Sequence, residues 1–188
     1  MSDRQKFSAS EAWEVARPLA FALEQVCERV EIAGSLRRKK PQVSDIELLF
    51  IPKMGDSGAD FFEKTEISLA DRLIDGWLQD GLLAKRPSKT GVFTWGNSNK
   101  LAIHVPSGIP VDLFATTAEK WWNALVCRTG GKENNLLLTK AALAKGFSFE
   151  AYGKGFRNLR GCEDHQCTSE RDVFDFIGLP YKEPQDRL

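Results

Sequence analysis

This chain has no apolar run approaching the roughly 18 residues that cross a bilayer. Its opening, MSDRQKFSAS, lacks the apolar segment of a secretory signal. Together these absences predict a protein that keeps to an intracellular, cytoplasmic compartment and makes no use of a membrane. Cysteine is sparse: the four present have no regular spacing, which excludes a disulfide framework and favours free thiols. Net charge is missing altogether, since 26 basic and 26 acidic side chains cancel. That balance argues against a protein that coats DNA, because non-specific affinity comes mainly from neutralising phosphates. It leaves room for a nucleic-acid enzyme whose charges are segregated by face. No internal repeat, low-complexity tract, heptad pattern or obvious oligomerisation element occurs, so a monomer is expected.

What is present reads as a globular α+β protein of 188 residues, 42% hydrophobic and 28% charged, enough for one domain or one domain with a small companion. Ser8 or Ser10 can cap a first helix, with Glu11 three residues after Ser8 as in a capping box, before a helical pattern through Trp13, Ala16, Leu19, Ala20, Leu23, Val26 and Cys27. Pro18 should kink or break that helix near Arg17. Val30 to Ala33 reads as a short strand running into Gly34-Ser35, followed by the basic run Arg37, Arg38, Lys39 and Lys40. Residues 43 to 51 then alternate, with Asp45, Glu47 and Leu49 on one side and Ile46, Leu48 and Phe50 on the other.

A second helix is expected over Asp60 to Gln79, with Phe61 and Trp77 among its buried candidates, stopped by Gly81. Strands follow over Leu82–Lys85, Val92–Trp95, Leu101–Val105 and Val111–Phe114. This order favours a mixed or mostly antiparallel sheet with both long helices on one face over a doubly wound parallel fold. From Thr116 a second, mainly helical module is expected. Thr116 with Glu119 should cap a helix containing Trp121 and Trp122, residues 128–131 should form a turn, and Asn134 or Asn135 should open the next helix. Short strands are expected at 147–152 and 156–159, and a final helix from Ser169 to Phe176.

Asp45 and Glu47 are two residues apart, so a strand directs both carboxylates to one side. Like charges held together raise each other's pKa. A divalent cation relieves that cost, and magnesium or manganese prefers oxygen ligands shared with phosphates. Asp112, on a later strand, would complete a site able to clamp attacking and leaving oxygens between two metals. Gly34 permits close approach of a phosphate, Ser35 and the turn amides can donate to it, and Arg38 adds a charged fork. Cys162, His165 and Cys167 approach a metal-binding set but fall short of a structural zinc quartet. His104 reads as a sheet-edge histidine. At least one of the Trp121-Trp122 rings is expected in interdomain packing, with stacking on nucleic acid the alternative.

The run GSLRRKKPQVSDIELL, followed by IPVDLFA, RTGGKENN, AALAKGF and TSERDVFDFIGLPYKEPQDR, resembles the family X DNA polymerases of the polymerase beta-like nucleotidyltransferase superfamily. The likeness covers about residues 28 to 188, and the compact length resembles the small viral repair form built of palm and thumb alone. It implies a palm-like catalytic domain over 1–115 and a thumb-like domain over 116–188 that contacts nucleotide and DNA. It further implies two Mg2+ ions, with Mn2+ as a possible substitute, on Asp45, Glu47 and Asp112, and a triphosphate on Gly34, Ser35 and Arg38. Arg128, Thr129 and Gly130 fall beneath the incoming sugar, Lys132 and Asn135 face its base, and Thr139 lies closer to the template. The implied reaction joins a primer 3′-hydroxyl to the α-phosphorus of a dNTP on primer–template or gapped DNA and releases pyrophosphate. Asp112 is the carboxylate best placed to help accept the hydroxyl proton, directly or through water.

Three departures from the family pattern matter. Glu47 stands where aspartate is usual, and Cys127-Arg128 stands where two aromatics are usual, one of which helps exclude a ribose 2′-hydroxyl. Lys132 is basic where an acidic residue can occur. The short stretch before Gly34 leaves no space for lyase or fingers-like domains, so deoxyribose-phosphate lyase activity is not expected and short-gap filling is. A template-independent nucleotidyltransferase acting on nucleic acid or a small molecule is the alternative.

Overall fold

The computed structural model describes residues 5–56 and 66–188. A two-residue strand, β1 (Phe7–Ser8), leads into helix α1 (Ala9–Val26). Ser8 caps α1 through a complete capping box, accepting from the Glu11 amide while the Glu11 carboxylate accepts from the Ser8 N–H at 2.9 Å. Contrary to the expectation of a break at Pro18, α1 is one continuous helix. Pro18 lies on the exposed side, where water can reach the carbonyl it leaves without a partner, while Ala12, Ala16, Leu19, Ala20 and Leu23 hold the opposite stripe in the core.

Strand β2 (Cys27–Ile32) is longer than its sequence pattern indicated and takes in Cys27. A four-residue helix α2 (Gly34–Arg37) follows, then β3 (Gln42–Val43), which pairs with β1, and β4 (Ile46–Pro52). The short hairpin of β5 (Met54–Asp56) and β6 (Glu66–Ser68) precedes α3 (Leu69–Gln79). Ser68 caps α3, so the helix expected from Asp60 is preceded by a strand, and its first positions, Phe61 among them, lie outside the described residues. Strands β7 (Leu83–Lys85), β8 (Asn99–His104) and β9 (Pro110–Ala115) complete a five-stranded sheet ordered β2-β4-β9-β8-β7. The β4–β9 pair is parallel and the other pairs are antiparallel, giving a mixed sheet. Residues 92–95 do not form the expected strand: only single bridges Pro87–Phe93 and Trp95–Lys100 occur, and Val92 and Phe93 remain exposed.

One face of the sheet, with Ile46, Leu48, Phe50, Val111 and Leu113, packs against α1 and α3 in the main core. The opposite face is also covered further along. Leu49, Ile51 and Phe114 pack against Trp121, Ala124 and Leu125 of α4 (Trp121–Thr129). Leu49, on the same side as Glu47, is therefore buried. The Arg29 guanidinium stacks over both Trp121 and Trp122, with centroids 4.4 and 4.5 Å away, and Trp121 is buried. Thr116 does not cap the helix as expected: a 3-10 turn at Ala118–Lys120 intervenes, and the Thr116 amide bonds to the Phe50 carbonyl at 2.9 Å.

After α4 come α5 (Lys132–Ala144), a three-stranded antiparallel sheet of β10 (Phe147–Phe149), β11 (Gly155–Asn158) and β12 (His165–Gln166), and α6 (Glu170–Phe176). Ser169 caps α6 by accepting from the Asp172 amide, as its sequence position indicates. This C-terminal part has its own core of Val126, Leu138, Ala142, Phe156, Cys167, Val173, Phe174 and Ile177. Among the described residues, no helix is long and apolar enough to cross a membrane.

Candidate active site

The parallel register of β4 and β9 sets Glu47 directly beside Asp112. Asp45 precedes β4 by one residue. The Gly34 segment is fastened to the same place, because the Ala33 amide donates to the Glu47 carbonyl at 2.8 Å. Gly34 has φ of +61°, and a Cβ added there would stand 3.0 Å from the Glu47 carboxyl carbon. Glycine at 34 thus serves two ends: it adopts a conformation that L side chains avoid, and it makes room for the Glu47 side chain. Gly34-Ser35 forms the first turn of α2 rather than an open turn, with the Arg38 amide bonded to the Gly34 carbonyl at 3.1 Å.

Burial, followed by the neighbouring charges of Asp45 and Asp112, pushes the Glu47 carboxyl up to about 8, while Arg128 and Arg38 pull it back. At neutral pH, Glu47 is therefore largely protonated when no cation is bound. Burial lowers Arg38, and the attraction of Glu47 and Asp45 opposes that shift. Arg38 Nη1 donates to the Thr129 carbonyl at 2.6 Å, while its Nε is buried without a hydrogen-bond partner among the described residues. Asp112 forms an ion pair with Arg86, whose Nε also donates to the Ala102 carbonyl at 3.0 Å. Arg86 sits just after β7, and no local sequence signal tied it to Asp112.

The second half of the site comes from the α4–α5 junction. Residues 128–131 are not simply a turn: Arg128 and Thr129 complete α4, Thr129 is buried, and the chain leaves the helix at Gly130. Arg37 Nη1 donates to Thr129 Oγ1 at 2.8 Å, so both arginines of the basic run end on this one threonine. The Arg128 guanidinium lies 3.7 Å from the Phe114 centroid, faces the Tyr152 ring and donates to the Tyr152 hydroxyl. Asn135 Nδ2 donates to the Cys127 carbonyl at 2.8 Å, and a Cβ at Gly130 would collide with Asn135 Oδ1. Asn135 therefore braces the junction. Thr139 bonds back to the Asn135 carbonyl at 2.9 Å, and Lys132 is exposed at the start of α5.

A buried ion network joins the same turn to the chain's C-terminal residues. Glu170 accepts from Arg37 at 2.5 Å through Oε1, and its Oε2 lies 2.5 Å from Arg187 Nη2. The latter is close in distance but not aligned as a hydrogen bond. Arg187 is fully buried and also donates to the Lys182 carbonyl at 2.9 Å. Sequence reading missed this network because Arg37 and Glu170 are 133 positions apart.

The structure thus gathers Asp45, Glu47, Asp112, Gly34, Arg38, Arg128 and Thr129 in one interacting set, with Ser35 in the first turn of α2 and Gly130, Lys132 and Asn135 at the adjoining junction. The set suits a hard cation, since it offers three carboxylates whose mutual repulsion is already visible at Glu47. A cleft of about 320 Å3 beside Asp45 and Arg86 reaches Ser44 and Pro110, whereas the larger cleft of about 900 Å3 lies between α3 and the β5–β6 hairpin. Shape alone would have favoured the larger one, but none of the three carboxylates lines it. A different donor set, His165, Cys167 and Asp172, has ligand atoms all within 4.8 Å of one another. The sequence pointed to Cys162 in place of Asp172; the capping position of Asp172 on α6 is what brings it there. His104 ends β8, an interior strand rather than the expected sheet edge, where it pairs with Leu83, bonds to Ser107 Oγ at 2.7 Å and is lowered by burial.

Residues 124–188 match the family model for the DNA polymerase beta thumb. Over 166 residues, 82% of this chain, the sequence is 25% identical to DNA polymerase lambda from Arabidopsis thaliana. The chain spans 31% of that relative's length. The mixed sheet followed by a helical C-terminal region that matches the thumb model is consistent with a palm-and-thumb arrangement. The similarity thus lies with the polymerase beta thumb over the C-terminal segment and, more distantly, with DNA polymerase lambda over most of the chain.

Proposed function

We propose that this protein is a DNA-directed DNA polymerase of the family X type that fills short gaps during repair. A palm-like domain over 1–115 and a thumb-like domain over 116–188 would act together as a monomer. The observation that carries this reading is the junction at Gly34. It rests on Glu47, which stands in register with Asp112, and it reaches Thr129 at the thumb-like segment through Arg37 and Arg38. Carboxylates and phosphate-binding groups are thereby linked to the α4–α5 junction that would receive the nucleotide.

Asp45, Glu47 and Asp112 would hold two Mg2+ ions, or Mn2+ in their place. Such ions, when bound, lower the pKa of the attacking hydroxyl and neutralise charge on the leaving phosphates. Gly34 and Ser35 would cradle the triphosphate, with Arg38 supplying charge. Arg128, Thr129 and Gly130 would form the floor beneath the sugar, while Lys132 and Asn135 lie toward the base. Asp112 would help accept the proton of the primer 3′-hydroxyl. Its pairing with Arg86 holds the carboxylate in place before substrate arrives.

Primer extension tests this reading on matched, gapped and unpaired substrates, with each dNTP or rNTP supplied separately with magnesium or manganese. The expected outcome is templated dNTP addition, fastest on gapped DNA and dependent on the divalent cation. Equal extension of unpaired primers would overturn it. One feature favours the second reading, a template-independent nucleotidyltransferase. Arg128, stacked on Phe114 and bonded to Tyr152, replaces an aromatic wall with a cation. Efficient rNTP use without template would support that alternative.

A further inference from the structure

The residues His165, Cys167 and Asp172 lie away from the carboxylate site and take no part in the proposed reaction. His165 is on β12, and its ring stacks flat on Phe176 at 3.8 Å with an interplanar angle of 4°. Its Nε2 lies 3.0 Å from Asp172 Oδ1. The other carboxylate oxygen, Oδ2, accepts from the Thr168 amide at 2.8 Å and its hydroxyl at 3.1 Å, which fixes the carboxylate's orientation. Cys167 is buried, and its amide donates to the Lys154 carbonyl at 3.2 Å. The His165 ring and the Asp172 carboxylate are thus each held by a contact outside the set, and Cys167 is fixed through its backbone. Supporting bonds of this kind orient metal ligands.

One nitrogen, one sulfur and one oxygen donor within 4.8 Å make a borderline-soft set, suited to zinc and poorly suited to magnesium. A cleft of about 460 Å3, lined by Phe147, Glu163, Asp164, His165, Gln166 and Phe176, opens beside the ring. It brings solvent to the His165 edge of the set, while Cys167 and Asp172 do not line it. We propose that His165, Cys167 and Asp172 bind one zinc-type divalent cation that ties β12 to α6. On binding, the cation enters between Nε2 and Oδ1, so the imidazole carries its proton on Nδ1. Cys167 binds as the thiolate and its proton passes to solvent.

The test is titration of the metal-free full chain with Co2+. One equivalent should produce thiolate-to-cobalt charge-transfer absorption, which Zn2+ abolishes by displacement and Mg2+ leaves unchanged. Zn2+ should also raise the unfolding temperature. Cys167→Ser should remove the absorption. His165→Asn, at a partly exposed ring, should weaken Co2+ binding by at least about tenfold, and it remains informative if the buried Cys167 site does not tolerate serine. Absence of the band in the unmodified chain would overturn the proposal. So would a band undiminished in His165→Asn, or one kept in Cys167→Ser, because the thiolate would then belong to another cysteine. These readouts do not depend on nucleotide transfer, so they stand apart from the polymerase reading.

Discussion

Glu170 is a buried glutamate and Glu47 a half-buried one, and their surroundings have opposite character. Glu170 lies between two arginines, Arg37 and Arg187, from distant parts of the chain. Glu47 is gathered with two further carboxylates, and the repulsion together with burial drives its carboxyl up to about 8. The first arrangement neutralises charge within the fold and holds the C-terminal module against α2. The second crowds three carboxylates together, so Glu47 is held protonated while Arg86 pairs with Asp112 and Arg38 and Arg128 compensate in part. A buried charge that the fold itself pairs is architecture, and one left strained beside a phosphate-friendly turn marks a place for a ligand.

Breaking the paired region should have the largest effect on stability. Glu170→Ala leaves the fully buried Arg187 without its counter-ion and Arg37 with Glu31 alone, and urea unfolding should show a loss of roughly 3–5 kcal/mol. The strained region should respond in the opposite direction. The folded-state pKa of Glu47 lies above its usual 4.5, so the stability it contributes is complete below about 4.5 and is lost as pH rises through about 8. Without divalent cations, Glu47→Gln should therefore be the more stable protein above pH 8, by at most about 5 kcal/mol, and should lose that part of the pH slope. Denaturant melts of the two proteins across this range check the sign. A smaller loss, about 1–2 kcal/mol, is expected for Gly34→Ala, where the left-handed backbone is strained and the new methyl presses on Glu47. The same substitution should raise KM for nucleotide, because it displaces both the turn and the carboxylate.

The comparison also shows what the sequence could convey. Local signals were legible where a short segment carries its own physics. The Ser8–Glu11 capping box, the Ser169 cap and the alternation that places Ile46, Leu48 and Phe50 in the core all appear as read. Gly34 was singled out for close approach, and the structure shows the approach to be to Glu47 as well as toward any ligand. Burial of Leu49 and Ile51 was not legible, since it depends on α4 folding over a strand some 70 positions earlier in sequence. Pro18 does not break α1 because an exposed carbonyl can lose its helical partner to water at little cost when the opposite stripe is well packed. The Arg86–Asp112 and Arg37–Glu170–Arg187 pairings join residues with no local pattern between them. Only the tertiary fold reveals them.

The most direct test of the central claim is single-turnover dNTP incorporation on gapped DNA by the unmodified chain and by Asp112→Asn, with folding of both verified by circular dichroism. Asparagine keeps the size of the side chain and removes the charge that the carboxylate set contributes. Metal-dependent incorporation should fall by about 10^3-fold or more, with the fold retained. Incorporation by Asp112→Asn at a rate close to that of the unmodified chain would contradict the assignment of the β4–β9 carboxylates as the catalytic centre.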